Sequence, residues 1–126
     1  MTARLMVADS ERDANMLYAT RLFVPDPFIW LEVRGRTYAV MSDLEIDRAR
    51  KQAQVDRVLS LATYQRQLKL DGVKQPRFSD ILNRILRDFK IRNVEVPMSF
   101  PIGLAKQLRG IRLSVKPDPF FSGREI

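Results

Sequence analysis

The chain has 126 residues, 45% hydrophobic and 29% charged, which suits one domain able to bury a real core. It contains neither Cys nor His. Disulfides, Ser-His-Asp and Cys-His nucleophile pairs, and zinc sites built from N and S ligands are therefore excluded. Its 22 basic residues exceed its 15 acidic ones by seven, and residues 47–92, with 12 basic and 5 acidic, hold the whole excess. The missing His and Cys point to a binding, structural or accessory domain rather than a self-contained hydrolase, and the basic segment to an anionic partner or a solvated helical face.

In chain order, Arg4–Ala8 reads as a short buried strand, and Ser10 as the N-cap of a helix through Glu11–Tyr18 with acids in its first turn. The prolines of Val24-Pro25-Asp26-Pro27 break the chain. Phe28–Val33, a turn at Arg34-Gly35-Arg36, and Thr37–Met41 predict a β-hairpin. Ser42-Asp43-Leu44-Glu45 fits a capping box opening a helix with Ile46, Ala49 and Ala53 on one face. Val55–Leu61 predicts a strand, residues 62–70 a helix closed by Asp71-Gly72, and Ser79 the cap of a strongly amphipathic helix. That helix aligns Ile81, Leu82, Ile85, Leu86 and Phe89. Asn93–Val96 predicts a strand stopped by Pro97, Pro101 and Gly110 bracket a helix, and Ile111–Val115 alternates as a last strand. Alternating strands and helices give an α/β domain with a mostly parallel or mixed sheet.

Three features could carry chemistry. Asp43, Glu45 and Asp47 crowd one helix start and could hold a hard cation, although a cap and the helix dipole ask for the same residues. Arg84, Arg87 and Lys90, with Arg77 and Arg92 just outside, lie opposite the apolar stripe. They could contact nucleic-acid phosphates as a free-standing basic module, or form an ordinary solvated face. Stacking aromatics are scarce there, with Tyr64 and Phe78 the candidates. Third, Tyr18, Phe23, Phe28, Trp30 and Tyr38 fall within 21 residues and suit core and hairpin packing, Phe23 excepted because it adjoins the proline-rich loop. No Gly-rich phosphate loop, GxSxG elbow or HExxH occurs. No apolar stretch approaches the ~20 residues of a membrane span, and the N-terminus has no signal-peptide pattern, so the expected location is cytoplasmic.

Asp9-Ser10, then Asn15-Met16-Leu17-Tyr18-Ala19-Thr20, a loop, a hairpin and Met41-Ser42-Asp43-Leu44-Glu45 resembles the creatinase-like N-terminal domain of Xaa-Pro aminopeptidases and prolidases. That pattern has an asparagine, a "YxTGF"-like segment, a hairpin and a "pElE"-like helix start. The resemblance spans nearly the whole chain. It departs in two places. The glycine of "TGF" is replaced, since Thr20 is followed by Arg21-Leu22-Phe23. The helix that usually precedes the first strand is missing or very short, which predicts a less covered face or edge of the sheet.

The resemblance implies an α/β domain with a mixed sheet of about six strands flanked by helices. Residues 1–115 would form it, and 116–126 would be a linker toward a missing C-terminal catalytic domain. The family's catalytic domain binds two divalent metal ions through two Asp, one His and two Glu. This chain, lacking His, would hold no metal, cofactor or catalytic residue of its own. The family further implies a homodimer in which this domain lends side chains to the partner subunit's active site. The matching positions are Arg21, Phe23 and Asp26, and Leu44 and Glu45. Arg21 would hold a substrate carboxylate, Phe23 would wall an apolar subsite, and Phe120 and Phe121 would dock onto the catalytic domain.

Overall fold

The computed structural model describes residues 2–117. Period-two alternation of large apolar residues builds the sheet. In β1 (Thr2–Ala8), Ala3, Leu5 and Val7 turn to one face and Met6 to the other. In β2 (Phe28–Val33), Ile29, Leu31 and Val33 oppose Phe28 and Trp30, and in β3 (Arg36–Met41), Val40 opposes Ala39 and Met41. Along these apolar stretches both faces of the three strands are thus buried.

The remaining elements are α1 (Ala14–Thr20), α2 (Asp43–Gln52), β4 (Arg57–Ser60), α3 (Leu61–Leu70), α4 (Phe78–Asp88), β5 (Asn93–Pro97), α5 (Ile102–Ala105) and β6 (Arg112–Lys116). The six strands form one mixed sheet in the order β4-β3-β2-β1-β5-β6. Only β2 runs against its neighbours, pairing antiparallel with β1 and β3, while β3–β4, β1–β5 and β5–β6 pair parallel. The predicted six-stranded α/β architecture is therefore the observed one.

The hairpin turns through Arg34 and Gly35, both at positive φ (52° and 76°), with Val33 paired to Arg36. This is the two-residue geometry whose twist matches that of the strands. On one face, Ile81, Leu82, Ile85 and Leu86 of α4 pack against Leu5, Leu31 and Val40, joined by Leu68 of α3. Each such side chain contributes roughly 1.5–3 kcal/mol by leaving water. The helix then closes on Lys90 at φ 59°, with Ile91 N–H donating to the Leu86 carbonyl and Lys90 N–H to that of Arg87. Those paired bonds satisfy carbonyls that a helix end otherwise leaves orphaned.

On the other face, α1 and α2 bring Met16, Ile46 and Ala49 onto Met6, Trp30, Ala39 and Met41. That cover stops short of β5 and β6. The residues that continue this face are Thr2, Arg4, Glu32, Asn93, Glu95, Arg112, Ser114 and Lys116, by strand alternation and register. Arg4 meets Glu32 at 3.3 Å and Lys116 meets Glu95 at 3.6 Å. Among the described residues no helix covers this polar half of the face.

Several local expectations shift. Ser10 does not cap α1; Asp13 does, its carboxylate accepting from Met16 N–H at 2.9 Å, and Glu11 and Arg12 precede the helix. Ser42 precedes α2 but makes no side-chain cap bond: Glu45 N–H donates to the Ser42 carbonyl at 3.0 Å, and the Glu45 carboxylate, the other half of a capping box, pairs with Arg48. The α4 helix starts at Phe78, two residues earlier than a cap at Ser79 allows; the Asp80 carboxylate accepts from Arg77 N–H at 2.8 Å, and Ser79 is buried. Ser60 ends β4 and caps α3, accepting from Thr63 N–H at 3.1 Å. The predicted helix bracketed by Pro101 and Gly110 shrinks to α5, since Asn83 of α4 takes hold of the chain at Gln107 and Arg109. Pro97 pairs with Lys116, so both last strands run one residue further than expected.

Candidate functional site

Because β1, β3, β4, β5 and β6 all point the same way, their C-terminal ends share one edge of the sheet. That edge gathers Asp9-Ser10, the start of α2, Ser60 and the segment from Met98 to Ile102, together with the 21–27 loop that enters β2. Ligands of open α/β sheets bind outside such carboxyl ends. The edge is also unusually apolar at its surface: Phe23 is 53% exposed, Leu44 91%, Met98 77% and Ile102 74%.

The 21–27 loop is held by buried hydroxyls. Ser10 is 1% exposed; its Oγ donates to the Leu22 carbonyl at 2.5 Å and accepts from Val24 N–H at 2.6 Å. Ser10 N–H in turn donates to the Val24 carbonyl at 3.0 Å. Thr20, fully buried, donates to the Met16 carbonyl at 2.8 Å and accepts from Leu22 N–H at 3.3 Å. Leu22 and Val24 point into the core, and Arg21, Phe23 and Asp26 are left on the surface.

Arg21 occupies the position of the replaced glycine and sits at φ 56°, the left-handed conformation that glycine adopts without strain. The Arg21 guanidinium lies 4.2 Å over the Tyr18 ring, a stack that leaves its in-plane N–H groups available to an anion. Phe23 and Glu45 are brought together by a residue that sequence reasoning missed. Arg48 donates to the Phe23 carbonyl at 2.8 Å and from Nε to Glu45 at 3.1 Å. Its only signal in the sequence was a place in the basic 47–92 segment. Leu44 stands on the first turn of α2, and Asp26 is exposed between the two prolines; no bond ties either to the Arg48 bridge. Phe120 and Phe121 lie outside the described residues.

The carboxylates at the start of α2 disperse. Asp43 accepts from Ser60 Oγ at 2.6 Å and Glu45 pairs with Arg48. Among the described residues no three His, Cys, Asp or Glu side chains stand together as a metal would need. The basic row on α4 is split as well. Arg77 meets Asp80 at 3.6 Å, and Arg84 is bonded to Asp71 and to Asp88, which hold its charge more firmly still. Arg87, Lys90 and Arg92 have no ion pair among the described residues. Tyr64 packs on the core beside α4 rather than on an open basic face, and burial pushes its hydroxyl pKa up. No described helix is long and apolar enough to cross a membrane.

No protein-family model matches the chain. No curated protein matches it either. Solved structures do. An Xaa-Pro aminopeptidase from Streptococcus pyogenes superposes with a TM-score of 0.63 at 13% identity, covering 96% of this chain and 81% of that one. An X-Pro aminopeptidase from Thermotoga maritima gives 0.64 at 15% identity over 92% of this chain, and the prolidase from Pyrococcus horikoshii gives 0.61 at 14% over 93%. The chain spans only 31% and 28% of those two proteins. At these identities the likeness is one of architecture, and the chain has the fold of a part of the Xaa-Pro aminopeptidases and prolidases.

Proposed function

We propose that the chain is the non-catalytic N-terminal domain of a proline-directed metallopeptidase of the Xaa-Pro aminopeptidase or prolidase type. The observation that carries this is the fold match over more than nine-tenths of the chain to proteins about three times its length. The chain offers no histidine, so the two-metal set that the resemblance implies would come from the catalytic domain of the parent. In that parent the domain supports a homodimer and shapes access to the partner subunit's catalytic centre. The exposed apolar edge with Phe23 and Leu44 suits such a contact. Arg21 suits the carboxylate end of a peptide, since a planar guanidinium can grip a carboxylate with two N–H groups at once. Asp26 and Glu45 flank the same approach, and Phe120 and Phe121 would meet the catalytic domain.

The test is to assay Xaa-Pro peptides with added Mn²⁺, using both the 126-residue chain and the product of the reading frame continued past Ile126. The expected result is no turnover by the chain and turnover by the longer product, weakened by Arg21→Ala through KM. A stop codon directly after Ile126, an inactive longer product, or cleavage by the chain alone would each overturn the proposal.

A further inference from the structure

On the other side of the sheet from α1 and α2, a cleft of about 600 Å³ opens between α4 and the segment leading into β6. That is the size of a small-molecule site. Its floor is apolar: Leu68 and Ile91 are buried and Val73 and Ile111 half-buried. Its rim carries Arg84, Arg87, Lys90, Arg92 and Arg109, and among the described residues one carboxylate lines it, Asp80, which is already bonded to Arg77.

Local structure accounts for some of these charges. Asp71 and Asp88 fix Arg84, and Lys90 terminates α4, where a cation also complements the helix dipole. Nothing comparable accounts for Arg92 and Arg109, which come from separate segments and have no ion pair among the described residues. Cations gathered at one concavity repel each other unless an anion sits between them. The wall that carries Arg109 is also fixed in place. Asn83 donates from Nδ2 to the Gln107 carbonyl and accepts from Arg109 N–H, both at 2.9 Å, and Arg112 N–H donates to the Arg92 carbonyl at 2.8 Å. A shallower groove lined by Arg92, Gly110 and Arg112 continues from the cleft.

We infer that this cleft binds an organic phosphate, its apolar body on the Leu68–Ile91 floor and its phosphates among Arg87, Arg92 and Arg109. Guanidinium forks match phosphate oxygens in pairs. Among the described residues no aromatic side chain lines the cleft, so they offer none of the stacking platform that single-stranded nucleic acid uses.

ATP in EDTA, inorganic pyrophosphate and adenosine, titrated calorimetrically into the 126-residue chain at moderate salt, form the first arm. ATP binds saturably at one site, pyrophosphate binds more weakly, and adenosine does not bind. In the second arm, Arg92→Glu/Arg109→Glu weakens ATP at least about tenfold, the equivalent of losing one charged contact of roughly 1.4 kcal/mol. Arg50→Glu/Lys51→Glu makes the same change of net charge on exposed positions of α2 across the sheet, and leaves ATP binding within about twofold. Circular dichroism verifies that both variants are folded. Equal weakening by the two variants would reduce the effect to net charge and overturn the inference. So would unsaturable binding, pyrophosphate as tight as ATP, or a short DNA duplex that displaces ATP at lower concentration.

Discussion

Replacing Ser10 by alanine tests the buried hydroxyl that fixes the 21–27 loop. The change removes a donor to the Leu22 carbonyl and an acceptor for Val24 N–H. Leu22 and Val24 are 2% and 1% exposed, so water cannot replace either bond without opening the core. A buried polar group left unsatisfied costs about 1–3 kcal/mol. The Val24 amide is left unsatisfied and the Leu22 carbonyl keeps only the long 3.4 Å contact from the Thr20 hydroxyl, which gives an expected loss of roughly 2–4 kcal/mol. Asp13→Ala is the internal standard. It removes the actual N-cap of α1, worth about 1 kcal/mol. Guanidinium unfolding followed by far-UV circular dichroism gives both values, and an unchanged slope shows that the comparison is one of stability alone. Hydrogen exchange adds a local reading, because the Val24 amide loses its protection in Ser10→Ala and keeps it in Asp13→Ala. If Ser10→Ala costs no more than Asp13→Ala, or leaves Val24 protected, the hydroxyl is not the support of this loop.

Three further outcomes follow from the same geometry. Arg21→Gly is neutral or stabilising by up to about 1 kcal/mol, the relief of a left-handed residue offset by the lost Tyr18 stack. Arg21→Val destabilises by more than ~1 kcal/mol, since a branched side chain is poorly suited to positive φ; equal melting temperatures for the two would remove the conformational argument. Ile85→Ala, at a fully buried position facing the sheet, lowers stability by about 2–5 kcal/mol in denaturant unfolding. Asp56 accepts from Thr37 N–H at 2.8 Å and from its hydroxyl at 3.2 Å, and these bonds lower its pKa. A carboxylate with a lowered folded pKa stabilises fully above its unfolded value of about 3.9 and loses that contribution as pH falls through the folded one. The stability gap between the native chain and Asp56→Ala should therefore hold steady from pH 7 to 5 and close below pH 4 in urea titrations; a gap that widens on acidification contradicts the assignment.

Sequence alone determined the parts of this protein that depend on neighbours along the chain. Alternation in Phe28–Val33 and Thr37–Met41 gave the hairpin, Arg34-Gly35-Arg36 placed its turn, though Arg36 already belongs to β3, and the Ile81-to-Leu86 spacing gave the face that α4 buries. The resemblance carried by Asn15 to Thr20 and Met41 to Glu45 supplied the six-stranded mixed sheet, which composition and periodicity leave open. Tertiary structure decided what depends on residues far apart. Ser10 is a hydroxyl beside acids, and locally it reads as a helix cap; its real partners, Leu22 and Val24, are twelve and fourteen residues away. Arg48 reads as one more surface charge until the loop places the Phe23 carbonyl, 25 residues distant, within its reach. Arg109 lies outside the basic 47–92 segment, yet Asn83 holds its backbone against α4 and puts it beside Arg87 and Arg92 at the cleft. Side-chain period and turn chemistry are properties of a few consecutive residues, whereas a site is a set of side chains from separate elements that only the folded sheet and its helices bring within bonding distance.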